Sequence, residues 1–282
     1  MSRIAHISDL HFGAEDPAVA ASLLDDLCTI APSLVIVSGD LTQRARSSQF
    51  RAARRYLDQI PFPRLVVPGN HDVPLYDLAR RFFAPLKRYR HFIDSQLNPW
   101  YQDDQLAVLG LNTARSLTWK SGRISAEQAE LIRTRFRHIP HACYKIVVTH
   151  HPFIPPPGDA HAGIDLVGRA ALALPIIDES EIDLLLAGHL HHGYTGDVRA
   201  YYPATKRSII VAQAGTAISH RIRYEPNAYN LIRLNDDAIT ISVRTWTENA
   251  FQATKRLTYR LVDEEWCLAS PDDLKPSFRA IK

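Results

Sequence analysis

The sequence predicts an α/β fold, and three observations carry that expectation. Aliphatic, β-branched runs alternate with amphipathic stretches through roughly the first eighty residues. Each run ends in a turn built of Gly, Asp, Asn or His, and further strand-like runs follow in the second half. The 282 residues, 46% hydrophobic and 22% charged, have globular composition, which excludes a disordered chain and a collagen-like or coiled-coil fibre. Length alone leaves two domains open, at roughly 150 residues each. The polar clusters described below lie in both halves and have to meet in one crevice, so residues 1–282 are expected to form one domain, with a cap or lid within 74–124.

The elements follow in order. Ile4 to Ser8 reads as a short buried strand, after which Asp16 offers an N-cap and Pro17 a first-turn proline to a helix reaching about Ile30. Leu34 to Val37 is a second strand ending in Ser38-Gly39-Asp40, and Ser47 or Ser48 can cap a helix through about Gln59. Arg64 to Val67 is a third strand, closing in Pro68-Gly69-Asn70-His71-Asp72. From Pro74 to Ile93 the pattern is helical but mixed with aromatics and arginines, as expected of a cap beside a sheet. Trp100 to Gln102 and Leu106 to Leu111 flank Asp103-Asp104 as a hairpin, and Ser125 with Gln128 makes a capping box for a helix to about Arg137. Lys145 to Thr149 ends in His150-His151-Pro152, and the Pro-rich loop to Gly158 is expected beside the site. A helix over about Arg169 to Glu179 precedes Leu184 to Ala187, which ends in Gly188-His189-Leu190-His191. Ser208 to Gln213, Tyr229 to Leu234, Ala238 to Trp246 and Ala253 to Val262 complete the strands, and the residues from Ser270 onward read as a polar surface tail.

Several classes are excluded on composition. Cys28, Cys143 and Cys267 are far apart and in no CxxC spacing, so neither a disulfide framework nor a redox motif is expected, and a reducing, cytoplasmic compartment fits. Thirteen histidines beside three cysteines point away from zinc fingers and iron–sulfur clusters. No stretch approaches the roughly 18 apolar residues that span a bilayer. Met1-Ser2-Arg3 runs straight into a segment carrying Asp9 and His11, so a signal peptide is not expected and the protein reads as soluble. A net charge of +3 permits an anionic substrate without demanding nucleic acid. Arginines do cluster, in Arg44, Arg46, Arg51, Arg54 and Arg55 and again in Arg80, Arg81, Arg88 and Arg90 with Lys87, and their spacing suits solvated helix faces.

The chemistry lies in five strand-end clusters: Asp9-Leu10-His11, Gly39-Asp40, Gly69-Asn70-His71-Asp72, His150, and Gly188-His189-Leu190-His191. Any one of them alone is commonplace. In open α/β sheets, however, the carboxyl ends of the strands converge on one crevice, so the clusters become neighbours. Asp9 and His11, two apart on an extended segment, would point the same way, and His189 and His191 repeat that arrangement. Asn70 and His71 are consecutive, so one can ligate while the other faces a substrate. Counting donors gives Asp9, His11, Asp40, Asn70, His150, His189 and His191, an oxygen and imidazole set that suits manganese, iron, zinc or cobalt. Seven ligands exceed one ion. If Asp40 bridges, two ions about 3.5–4 Å apart each receive four protein atoms and keep positions open for water and a phosphoester oxygen.

In order along residues 4 to 192 the motifs read DLH, GD, GNHD, a strand-end His and GHLH, and this series resembles the calcineurin-like metallophosphoesterase superfamily. The resemblance implies a four-layer α/β/β/α sandwich of two mixed sheets flanked by helices. It implies that Asp9, His11, Asp40 and His191 hold one metal ion and that Asp40, Asn70, His150 and His189 hold the other. His71 would face the substrate, stabilising the transition state or protonating the leaving alkoxide, with Asp72 available to orient its ring. The GNHD box and the His150-His151 pair are most similar to bacterial class III cyclic-nucleotide phosphodiesterases and related glycerophosphodiesterases. The expectation is hydrolysis of a cyclic nucleotide or small glycerophosphodiester-like substrate by a metal-bridging hydroxide. Related enzymes often form homo-oligomers.

Bland readings cover the other candidates. His151 could replace His150 as ligand, but the resemblance places the first histidine of the pair on the metal and His151 behind it. His6 is expected as a buried hydrogen-bonded strand residue, and His161 and His192, which could contact phosphate, as solvated loop residues. Arg221, Arg223 and Tyr224 could reach a substrate phosphate, although solvation at a strand edge accounts for them as well. The rival functions are a phosphomonoesterase, a repair-type nuclease supported by the arginine-rich helices alone, and a non-catalytic scaffold, against which the complete ligand set argues.

Overall fold

The computed structural model describes residues 1–158, 164–221 and 225–269; the expected polar tail therefore lies outside the described residues. In chain order the elements are β1 (Ser2–Ile7), α1 (Pro17–Ile30), β2 (Leu34–Val37), α2 (Ser47–Leu57), β3 (Arg64–Val66), α3 (Leu78–Phe83), α4 (Lys87–Phe92), β4 (Trp100–Gln102) and β5 (Leu106–Gly110). They continue with α5 (Ala126–Phe136), β6 (Tyr144–Val148), α6 (Ala170–Glu179), β7 (Leu184–Ala187), β8 (Tyr194–Asp197), β9 (Ile210–Gln213), β10 (Ala228–Asn235), β11 (Ala238–Thr247), β12 (Ala250–Val262) and β13 (Glu265–Leu268).

The strands form two mixed sheets. One has seven strands in the order β13-β12-β11-β10-β1-β2-β3, the other six in the order β4-β5-β6-β7-β9-β8. Strand alternation explains how they stack. In β1, Ile4 faces the second sheet and packs with Leu34, Ile36, Val108, Ile146 and Leu186 in a core shared by both sheets. Its neighbours Ala5 and Ile7 face the other way, onto Leu23 and Leu27 of α1 and Phe50 of α2. The second sheet repeats the pattern, with Leu109, Val147 and Leu185 turned toward Ile132 and Phe136 of α5 and Ile177 of α6. The result is the expected four layers, helices outside and two sheets inside.

Local chemistry fixes most element boundaries. Asp16 caps α1 by accepting from the Ala18 and Val19 N–H groups, and Ser125 caps α5 by accepting from Gln128 N at 3.2 Å while Gln128 Oε1 accepts from Ser125 N. At α2 the cap differs from expectation: Arg46 rather than a serine precedes the helix, and Gln49 Oε1 reaches back to accept from Arg46 N. The expected 74–93 helix is in fact two six-residue helices. Pro85 supplies no N–H and disfavours helical backbone at Ala84, whose φ is −153°. The strands β8 and β13 were not legible: Tyr194–Asp197 contains Gly196 and pairs only because β9 lies beside it, and Glu265–Leu268 follows a tight turn after β12.

One topological fact positions the site. Strands β1, β2 and β3 are parallel to one another, as are β5, β6, β7 and β9. Within each sheet their carboxyl ends therefore share one edge, and contacts such as that of His150 Nδ1 with Ser38 O join the two edges, so the loops after β1, β2, β3, β6 and β7 meet there.

Candidate metal centre

The loop after β1 brings Asp9 and His11 into the interior, both fully buried. Contrary to the expectation from their spacing, they do not lie on an extended segment. Asp9 (φ 55°) and His11 (φ 48°) adopt left-handed backbone, as do Asp40 (φ 52°), His189 (φ 80°) and His191 (φ 58°). A left-handed turn reverses direction within one residue, which is how side chains two apart reach a common point from a strand end. Such conformations cost about 1 kcal/mol or more outside glycine. Five of the thirteen non-glycine residues with positive φ among the described residues are these five, so the strain concentrates at the site.

Two groups of donors form. Asp9, His11, Asp40 and His191 offer ligand atoms all within 4.8 Å of one another. His11 Nε2 and His191 Nε2 stand 3.2 Å apart, and His191 Nε2 lies 3.3 Å from Asp9 Oδ1. Beside this group, His150 Nε2 and His189 Nδ1 lie 3.0 and 3.1 Å from Asn70 Oδ1. Asp40 stands between the groups: its Oδ2 is 3.7 Å from His11 Nε2 and its Oδ1 is 3.4 Å from His150 Nε2.

Backbone and carbonyl groups aim these donors. His150 Nδ1–H donates to Ser38 O at 2.8 Å, and His191 Nδ1–H donates to Arg221 O, which leaves each Nε2 lone pair facing the centre. The His71 N–H donates to Asp40 Oδ1 at 2.8 Å and the His189 N–H to Asp9 Oδ2 at 3.0 Å, fixing both carboxylates. Glycines make the close approach possible. A Cβ on Gly69 would stand 2.2 Å from Asp40 Oδ1, and one on Gly39, itself at φ 102°, 2.5 Å from His150 Nδ1.

The electrostatics follow from burial opposed by charge. Burial alone would raise the Asp9 and Asp40 carboxyls, yet His191 and His11 around Asp9, and His150 and His71 around Asp40, hold both well below the ordinary range. In return, against burial, Asp40 pushes His150 up to about 9. Burial and then the charge on His150 bring His189 down to about 4. Two buried carboxylates ringed by imidazoles, with Asp9 Oδ1 lacking any hydrogen-bond partner, are what a cation site requires. The donor set fits a metal ion.

His71 occupies the rim. Its Nδ1 lies 3.0 Å from Gln43 O, its Nε2 is 3.0 Å from Arg221 Nη1, and its ring meets the His11 ring edge-on at 4.9 Å between centroids. Burial, opposed by Asp40, lowers its pKa. Contrary to what the resemblance implies, Asp72 does not orient this ring. Its two oxygens accept from Leu41 N, Thr42 N, Thr42 Oγ1 and Gly69 N at 2.9–3.2 Å, tying the loop after β2 to the loop after β3. His151 is likewise engaged on both ring nitrogens, Nδ1 with the Thr113 hydroxyl and Nε2 with Lys120 O, both at 2.7 Å. It stands beside His189 without a free lone pair. His6 is buried, with Nε2 2.9 Å from Ser38 Oγ, as its strand position suggested.

A profile of the calcineurin-like phosphoesterase family matches residues 2–193, more than half of the chain. The chain belongs to this family. The chain is also similar to three curated relatives. The glycerophosphodiester phosphodiesterase GpdQ of Enterobacter lignolyticus is 34% identical over 80 residues, covering 24% of this chain and 29% of that relative. A probable GpdQ of Arcobacter nitrofigilis is 23% identical over 77% of this chain and 74% of its own length. A probable cyclic nucleotide phosphodiesterase of Synechococcus is 22% identical over 68% and 74%. The fold matches a purple acid phosphatase from yellow lupin seeds (TM-score 0.67, 13% identity, 91% of this chain, 53% of that one) and a dimetal phosphatase of Danio rerio (TM-score 0.64, 14% identity, 91% and 98%).

The structure also adds residues to the site. A cavity of about 340 Å³ beside the donors is lined by Asp40, Asn70, His71, His189 and His191, by the newly found Lys120 and Asp165, and by Arg221, which the sequence offered as a phosphate contact. Arg44 Nη1 approaches His71 Nδ1 at 3.4 Å. In the sequence Arg44 reads as part of a solvated helix face and Lys120 carries no motif, because both arrive from loops whose paths the sequence does not specify. His192 sits at the surface beside Glu225. His161, Arg223 and Tyr224 lie outside the described residues.

Proposed function

We propose that this metallophosphoesterase is a binuclear phosphodiesterase acting on a small diester, a cyclic nucleotide or a glycerophosphodiester-like molecule. The position of Asp40 carries the reading, because its two oxygens face different donor groups. In this reading Asp9, His11, Asp40 and His191 hold one ion and Asp40, Asn70, His150 and His189 the other. Manganese, iron, zinc and cobalt all suit these donors. The ions would supply Lewis-acid activation of water and neutralise phosphate charge. Arg221 and Lys120 add positive charge where a bound phosphodiester would lie. His71 faces the cavity through Nε2 while Gln43 O holds Nδ1–H, so a proton reaching the departing alkoxide passes through Nε2. Cys28, Cys143 and Cys267 are free thiols, which suits the cytoplasm. Among the described residues no helix is long and apolar enough to cross a membrane.

The test is direct hydrolysis. The purified chain with manganese should cleave a bis-aryl phosphate faster than the matching monoester, lose that activity to a chelator and bind about two ions. Asp40→Ala should lower the rate roughly a thousandfold, or about 4 kcal/mol in the barrier. Undiminished turnover by that variant would sink the proposal, and a faster monoester rate would make the enzyme a monoesterase.

A further inference from the structure

Half of the large hydrophobic side chains that stand exposed among the described residues, six of twelve, come from two short segments beside the metal cavity. Tyr76, Leu78, Phe82 and Phe83 lie on and before α3, and Leu117 and Trp119 lie on the loop after β5, with Phe83 90% and Leu117 75% exposed. Arg81 makes these segments one surface. Its buried guanidinium donates to Pro74 O on one side and to Ser116 O and Thr118 O on the other, and it stacks 4.4 Å from the Trp119 ring. Between the segments lies a second cavity of about 510 Å³, floored by Val73, Leu86 and Ala114, with Phe83, Lys87 and Arg90 at its rim.

The charge of this face is one-sided. Besides the buried Arg81, residues 73–93 carry four Arg and Lys against the single acid Asp77, and residues 115–123 carry three with no acid at all. Exposed apolar patches on a protein surface mark contacts, and this one combines hydrocarbon with cations. We propose that the face formed by residues 74–92 and 115–120 docks on an anionic lipid surface. Phe83, Leu117 and Trp119 enter the acyl boundary while Lys87 and Arg90 meet lipid phosphates. A second copy of the chain would bring these cations against their own kind. A nucleic acid would satisfy the charges and stack bases on Phe83 or Trp119, but it offers no aliphatic partner to Leu78 and Leu117. The face adjoins the metal cavity, since Lys120 lines it and Arg44, which approaches His71, stacks 5.9 Å from Tyr76. Docking would therefore set the cavity mouth at headgroup level. Docking requires no hydrolysis, so it can fail or hold independently of the catalytic reading.

The test is sedimentation of the full chain with vesicles. Phosphatidylcholine vesicles containing about a third phosphatidylserine should bind it at least roughly tenfold better than phosphatidylcholine alone. Raising the salt should weaken that binding. Lys87→Glu with Arg90→Glu should lower it by roughly tenfold or more, and Phe83→Ser with Leu117→Ser, at an unchanged thermal midpoint, should lower it comparably. Equal binding to neutral and anionic vesicles, or full binding by both double variants, overturns the proposal. So does a concentration-dependent dimer abolished by the Phe83 and Leu117 changes, or oligonucleotide binding that displaces the vesicles and survives those changes.

Discussion

Asp72 shows how one residue can belong to the site without touching the chemistry. Burial and then the charge of Asp40 push its carboxyl up to about 7, against hydrogen bonds from Gly69, Leu41 and Thr42. Asp72→Ala would strand three buried N–H groups, so stability should fall by about 3–5 kcal/mol. The pH profile of kcat should keep its shape; a lost acid or base limb would return Asp72 to the proton path. Asp183 gives a pH dependence away from the centre. Burial raises its carboxyl from 3.8 to about 6, despite donors at Lys145 N and Trp266 Nε1. Between those values the folded chain holds a proton the unfolded chain has lost, so stability declines as pH rises from about 4 to 6. Asp183→Asn should flatten that decline and gain about 1–2 kcal/mol at neutral pH, read by denaturant titration at several pH values.

At the scale of elements, the strand ends carry the site and glycine sets their separation. Gly69→Ala should drive Asp40 aside and weaken metal binding by roughly ten- to a hundredfold, measured by calorimetric titration. The opposite side of the first sheet is held by a different device. Asp26 of α1 takes a bidentate pair from Arg244 of β11 at 2.5 and 2.7 Å and a hydroxyl from Tyr229 of β10 at 2.6 Å. Asp26→Ala should cost about 2–4 kcal/mol of stability and leave hydrolysis intact, since breaking a half-buried pair strands its partner. Elements with their own caps or strict alternation were legible in the sequence: α1 through Asp16-Pro17, α5 through Ser125 and Gln128, β11 through Ile239, Ile241 and Val243. Those that borrow their form from neighbours were not. β8 exists because β9 presents an edge, and α3 and α4 part at a proline that the aromatic-rich pattern concealed.

At the scale of the molecule, the seven candidate donors were legible because each follows a strand, and their nearness follows from parallel topology. Their backbone was not, since left-handed Asp and His leave no mark in a pattern of hydrophobicity. Nor were Arg44, which approaches His71, and Lys120, which lines the cavity, since both arrive through long-range folding of loops; Arg221 was legible only as one of two readings. Metal should stabilise the whole fold: at a free ion concentration about a hundredfold above Kd, each site adds about 2.7 kcal/mol. A chelator should then lower the thermal midpoint by several degrees, about 2–4 °C per kcal/mol in a chain of this size. An unmoved midpoint would mean that the ions do not bind.

The donors come from both sheets, Asp9, His11, Asp40 and Asn70 from the first and His150, His189 and His191 from the second. Ions seated among them would act as a caliper across the sandwich, reading how far one sheet has slid over the other. Truncating a side chain deep between the layers, such as Ile146 or Leu186, would then be felt at the rim as a change in ion affinity, although neither residue is itself a ligand.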